Sequence, residues 1–231
     1  MIKLAQVISI CFLCFTAIAC EENKKALVML YDEVEDIVGI QSMRYIINDQ
    51  YLRIDAGQQD SDFILYDKQK KTVFSVNHED RTVLKIAYKP WKQPEFQFNV
   101  SVKNIVAKNA PEVFGKQVFD YQILADDMLC TQVFLVKDMY PDAMQILYDY
   151  QQLLSGQQVA SLKNTPEELH TPCFLLDQVF HKGDYYKLGL PIQITYSRGY
   201  TKLLKDVREE VVDNSLFVLP EGYEEYLPFV E

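Results

Sequence analysis

Residues 43–88 constrain this chain more than any other stretch: MRYIINDQYLRIDAGQQDSDFILYDKQKKTVFSVNHEDRTVLKIAY. Short apolar runs alternate with polar residues, and Asp, Asn, Gly, Gln or Lys separates each run from the next. Period-two alternation with turn residues at these intervals specifies strands with one buried face, joined as successive hairpins. The spacing predicts strands at 51–55, 63–66, 72–76 and 82–88. Leu52 and Ile54 are then set inward against Arg53 and Asp55. A connected antiparallel meander is therefore the expectation.

The remaining chain extends that pattern. Ala26–Tyr31 and Ile37–Ile47 are rich enough in Val, Ile and aromatics for strands, with a helix over 27–38 as the competing reading. Further strands are expected at 96–105, 116–124, 128–136, 190–197, 201–212 and 216–219. Pro90 and Pro94 interrupt ladder bonding around Trp91, the only tryptophan, which is read either as core packing or as the lip of a cleft. Pro141 opens a helix whose face is Met144, Leu147, Tyr148, Gln151 and Leu154, with Gly156 as its end. Thr165-Pro166-Glu167-Glu168 fits a capping box, and a short helix restarts over Cys173–Phe180. Fifteen Tyr and thirteen Phe suit a sheet better than a bundle.

The first twenty residues form a separate object. Lys3 precedes an apolar run from Leu4 to Ile18, then Ala17-Ile18-Ala19-Cys20, then the polar Glu21-Glu22-Asn23-Lys24-Lys25. The run is short for a spanning helix and ends on small residues. It resembles the lipobox of bacterial lipoproteins, with Ala17 where Leu is usual. The resemblance implies a signal peptide over 1–19, an acylated Cys20 as the new N-terminus, a tether over 20–25, and a domain over 26–231. Ordinary secretory cleavage is the alternative. Cys11 and Cys14 leave with the signal, so Cys130 and Cys173 remain. In an exported chain that pair reads as a disulfide, or as two buried thiols.

Charge and missing motifs exclude several classes. Twenty-three Lys and Arg stand against 33 Asp and Glu, a net charge of −10, with no basic stripe, so nucleic acid is not an expected partner. GxSxG, GxGxxG and GxxxxGK[ST] are absent. His78, His170 and His181 are the only histidines and share no ligand spacing, so neither a metal nor a cofactor is expected. Adjacent acids such as Asp126-Asp127 and Glu209-Glu210 point to opposite faces of a strand and make no dyad. An enzyme is not expected.

Two blocks together, Tyr45–Tyr88 with its LRID strand and hairpins, and Leu216–Tyr223 near the end, resemble bacterial envelope proteins of the LolA-like kind. That resemblance implies an α+β, mainly β fold: a strongly curved antiparallel sheet, an incomplete barrel, with a few helices on its concave face. It also implies a cavity for an acyl chain or a lipoprotein's lipid, in a protein facing the periplasm from a bacterial membrane, the outer one by Glu21. Leu52, Ile54, Phe63, Leu65, Phe74, Val76, Leu84 and Ile86 are the residues expected along one face, lining that cavity. The alternative is a solid core and a protein-interaction module that recruits an envelope partner through an acidic surface or an exposed sheet edge.

Overall fold

The computed structural model describes residues 24–35, 39–58, 60–95 and 97–228. Cys20, the signal and the first part of the tether lie outside the described residues. Twelve strands form one sheet: β1 (Lys24–Glu35), β2 (Gly39–Ile47), β3 (Tyr51–Asp55), β4 (Phe63–Asp67), β5 (Thr72–Asn77), β6 (Thr82–Ala87), β7 (Val100–Val106), β8 (Val118–Ala125), β9 (Met128–Lys137), β10 (Gly189–Tyr196), β11 (Tyr200–Val212) and β12 (Glu224–Tyr226). Their order is β12-β6-β5-β4-β3-β2-β1-β11-β10-β9-β8-β7, so two runs of hairpins are sewn together where β11 meets β1. Every pairing is antiparallel except β12 on β6. The protein is therefore mainly β and built on one large antiparallel-rich sheet, and the helical alternative over 27–38 is set aside for 27–35, while 36–38 lie outside the described residues.

The helical layer lies between β9 and β10 in sequence. It comprises α1 (Pro141–Ser161), the one-turn α2 (Pro172–Leu175) and a π-type turn over Leu176–Phe180. Ile146, Leu147, Tyr150 and Leu153 of α1 pack with Leu176 and Val179 onto Met29, Tyr45, Leu52, Val133 and Leu135 of the sheet. Gly156 does not end α1. A Cβ there would lie 2.5 Å from Trp91 Cδ1, so the glycine admits the indole against the helix. The expected capping box also fails to form, because Thr165 turns its hydroxyl back to the Ser161 carbonyl, 3.1 Å away. The real cap comes later, where Thr171 accepts from the Phe174 N–H at 3.2 Å.

The opposite face of the first meander is covered too. Ala26, Val28, Ile46, Phe63, Leu65, Phe74, Val76 and Val83 form a second core under Phe217, with Leu216, Leu219 and Tyr223 against it. The expected strand at 216–219 is instead a 3-10 turn over Asn214–Phe217, capped by Asp213 accepting from the Ser215 N–H. This second cover buries Arg53 and Asp55, which alternation had assigned to solvent. Asp55 accepts from Arg44 Nε at 2.9 Å and Nη2 at 3.0 Å, and from Arg53 Nε at 2.6 Å. Arg53 Nη1 donates to the Leu216 carbonyl at 2.9 Å, and its guanidinium lies 3.7 Å over the Phe63 ring. A buried ion triplet thus fastens the C-terminal segment to β3.

Candidate functional site

Directly opposed residues of neighbouring strands share a face, so the pairing register places each expected ligand residue. Leu52 opposes Tyr66, Ile54 opposes Ile64, Leu84 opposes Ser75 and Ile86 opposes Val73, all toward the helices. Phe63 opposes Val76 and Leu65 opposes Phe74, all toward the C-terminal segment. The eight residues therefore do not line one face. Four lie on each, because β4 and β5 are apolar at both phases and alternation alone cannot say which phase meets the helices.

Of the eight, Ile54 borders a cleft of about 330 Å³ between the helical layer and the sheet. Met43, Ile64 and Leu154 give it an apolar side, and Tyr45, Tyr150, Tyr185, Tyr186, Tyr196 and Tyr200 give it aromatic walls. Glu33, Glu35, Asp177, Lys182, Arg198 and Lys202 supply its charge. A larger hollow of about 610 Å³ lies at the other end of α1, but its charged residues Lys25, Asp49, Lys68, Asp142 and Glu209 are all exposed on its rim. The cleft differs in holding buried Asp177 and half-buried Glu33, Lys182 and Lys202, which burial can tune, beside exposed Glu35 and Arg198.

The seam of the sheet builds the cleft floor. Along β1 the helix-facing phase runs Leu27, Met29, Tyr31, Glu33; on β11 it brings Tyr200 and Lys202 to the same level. Glu33 and Lys202 are direct cross-strand partners, and Lys202 Nζ lies 2.7 Å from Glu33 Oε1. Tyr45 donates to Glu33 Oε1 at 2.8 Å, Tyr200 donates to Oε2 at 2.5 Å, and Lys202 donates to the Tyr45 oxygen. Burial favours neutral Glu33, but the Lys202 charge and these hydrogen bonds outweigh it and hold the carboxyl below its ordinary value. Burial also disfavours charged Lys202, yet Glu33 outweighs it and raises the ammonium above its ordinary value. Tyr45 is pushed well up, first by burial and then by the Glu33 charge.

The helical layer supplies the roof. The π-type turn closes with the His181 N–H on the Leu176 carbonyl at 3.0 Å and carries Asp177, which accepts from the Thr131 hydroxyl of β9. Burial, opposed by that hydrogen bond and by Arg198 and Lys182, pushes Asp177 up to about 6. Lys182 follows, and Gly183 at φ 78° lets the chain pass α1 closely; a Cβ there would sit 2.8 Å from Gln151 Cβ. Burial, then the Arg198 and Lys202 charges, lowers Lys182 to about 8. The expected cysteine pair is joined, with Sγ atoms of Cys130 on β9 and Cys173 on α2 at 1.98 Å, tying this roof to the sheet.

The histidines stay apart. His78 Nδ1 meets the Tyr223 hydroxyl at 2.7 Å, His181 Nδ1 meets Asp184 at 2.8 Å, and His170 stacks on Phe174. Among the described residues no three His, Cys, Asp or Glu side chains are grouped to hold a metal. Glu33, Lys202 and their tyrosines were not among the residues expected from sequence. Their signal was a charge on the otherwise apolar phase of two strands, but the strands are too distant in sequence for that signal to reveal their pairing.

No protein-family model matches the chain, and no curated protein does. Among solved structures, PNGF-II in a C2 crystal form is 11% identical with a TM-score of 0.40, over 88% of this chain and 31% of that one. Its P21 form is 10% identical with a TM-score of 0.42, over 88% and 32%. An uncharacterised conserved protein of Thermus thermophilus is 6% identical with a TM-score of 0.43, over 87% and 90%. The chain spans about a third of the length of PNGF-II. Likenesses of this order carry no activity across.

Proposed function

We propose that this chain is a lipid-anchored, periplasm-facing protein of a bacterial envelope, held by acylated Cys20, that takes an acyl chain or the lipid of a lipoprotein into the cleft beneath α1. In this reading the sheet wraps the helical layer as an incomplete barrel, its β7 and β12 edges unjoined. The observation that carries it is the opening left between helix and sheet, where half-buried Met43, Ile64 and Leu154 meet Ile54 beneath a polar, aromatic mouth. An apolar floor with a few convergent polar groups is the ordinary form of a small-molecule site, and about 330 Å³ is at the small end of the range. Phe63, Leu65, Phe74 and Val76 have no part in it, being packed beneath Phe217.

The full chain, extracted in mild detergent and exchanged into envelope phospholipid, is examined by native mass spectrometry. A retained lipid adduct is expected, and Leu154→Trp, which fills the cleft, is expected to remove it. No adduct, or the same adduct in the filled variant, overturns the acyl-ligand reading.

One observation favours a second reading, an interaction module. Among the described residues the β7 edge pairs with β8 alone, and it exposes Val102, Ile105 and Val106. Its N–H and C=O groups alternate in direction. Ala107 donates to Val118 and Asn99 accepts from Asp126, so the odd positions face β8 and Val100, Val102, Asn104 and Val106 face outward. An open apolar edge of this kind is a template for an added strand. A photocrosslinker at Val102 that captures one envelope protein, with no lipid in the cleft, selects this reading over the first.

A further inference from the structure

Three cations face the cleft, and they are not equivalent. Lys202 is closed off by Glu33 and Tyr45. Among the described residues, neither Lys182 nor Arg198 has a carboxylate oxygen within 4.0 Å. Lys182 donates to Gln178 Oε1 at 3.2 Å, which leaves two of its three N–H groups unused. The Arg198 guanidinium rests over the rings of Tyr196 and Tyr200, 5.6 and 5.5 Å from their centres, with its planar fork uncommitted.

Exposed cations without an ion pair are ordinary, but these two line one cleft, Lys182 half-buried in its roof and Arg198 exposed at its mouth. Of the acids at hand, Glu33 is taken by Lys202, Glu35 forms no ion pair among the described residues, and Asp177, hydrogen-bonded to Thr131, attracts both cations only from beyond ion-pair distance. We propose that Lys182 and Arg198 form an anion subsite at the cleft mouth that holds the phosphate-type head of an amphipathic ligand. Arg198 offers a bidentate fork to two oxygens and Lys182 a point charge from the roof, while the Tyr196 and Tyr200 rings beneath the guanidinium keep it in place. The lowered Lys182 fits a site waiting for negative charge. Its proton is held weakly first by burial and then by the Arg198 and Lys202 charges, and a bound anion offsets that repulsion.

The head subsite deepens the cleft reading and rests on it only for the ligand's apolar part, so the two are tested separately. The full chain in neutral detergent is titrated calorimetrically with inorganic phosphate, then with dodecyl phosphate and with dodecyl maltoside. Inorganic phosphate is expected to bind, and Lys182→Met or Arg198→Gln to weaken it about tenfold or more, as loss of a charged hydrogen bond does. Lys205→Met, on the exposed Asp32 pair, leaves binding unchanged. Phosphate binding is expected to fall as pH rises through about 8, where Lys182 loses its proton, and Lys182→Arg is expected to abolish that fall. No phosphate binding by the unaltered chain, or equal binding by Lys182→Met and Arg198→Gln, overturns the subsite. Equal binding of the phosphate and maltoside amphiphiles likewise removes the head subsite while leaving the apolar cleft. Binding of inorganic phosphate with neither amphiphile retained supports the subsite and removes the acyl reading.

Discussion

Replacing Asp55 with Asn tests the buried triplet that fixes the C-terminal segment. Asp55 is fully buried, while the Arg53 and Arg44 side chains are 10% and 28% exposed. The substitution keeps the shape and one acceptor but strands the Arg53 charge, which cannot reach water without releasing the Leu216 carbonyl. Breaking a buried pair from one side costs about 3–5 kcal/mol, and the retained amide oxygen places the expected loss near the lower end, about 3. Arg44→Gln is milder, about 1–2 kcal/mol, because Arg53 still serves Asp55. Burial raises the Asp55 pKa, but the hydrogen bonds from Arg44 and Arg53 outweigh it and hold the group below its ordinary value. Its contribution is therefore complete above the unfolded pKa near 3.9 and lost as pH falls toward the folded one. Urea unfolding followed by Trp91 fluorescence and far-ultraviolet dichroism supplies the measurement. A loss under about 1 kcal/mol at neutral pH would refute the triplet's role. So would a gap between the two proteins unchanged from about pH 6 to pH 3, across the range where a carboxylate should protonate.

Three other perturbations give sharp outcomes. Cys130→Ala with Cys173→Ala opens a bridge across 43 positions and is expected to cost about 4 kcal/mol, with amides of 172–187 exchanging faster by hydrogen-exchange mass spectrometry; unchanged exchange there contradicts the tie. Val102→Pro removes an outward N–H and is expected to cost about 1 kcal/mol or less, whereas Lys103→Pro breaks a ladder bond and costs about 2–3; equal urea midpoints contradict the assigned edge. Asp177, raised to about 6, binds its proton more tightly folded than unfolded, so the stability it contributes falls as pH rises from about 4 to 6. Asp177→Asn is expected to be the more stable protein by about 1–3 kcal/mol at pH 7, with the difference vanishing below about pH 4, as read from urea midpoints across that range.

Strand existence was legible because alternation and turn residues act locally. β3 was read with its observed ends, and β4, β5 and β6 to within a residue. Facing was legible only in part. The FILY run of β4 is apolar at both phases, which is itself the mark of a strand covered on both sides, and polar Arg53 and Asp55 are accommodated on the covered face because they satisfy one another. What covers the second face is the 3-10 turn at Asn214–Phe217, whose apolar residues imitate a strand locally and take their conformation from the core they close. The end of α1 was misread for a similar reason, since Gly156 answers to Trp91, far away in sequence, rather than to the helix. The β1–β11 seam, and with it the cleft floor, needed a pairing between opposite ends of the chain that no local pattern encodes.

That seam also bears on why so costly a pair sits there. An ion pair as largely withdrawn from water as this one is seldom a net gain in stability over apolar side chains of the same shape, and the neighbouring positions Met29 and Leu204 show that this phase accepts them. Glu33 and Lys202 instead set the electrostatics of the space above them. With Glu33 holding it protonated, Lys202 stays positive under Tyr45 and Tyr200 and adds to the repulsion that weakens Lys182 across the cleft. Glu33→Gln with Lys202→Met would then leave the sheet as stable or more so, yet return Lys182 toward its ordinary value. A pair placed for the fold alone would move stability and leave Lys182 where it is.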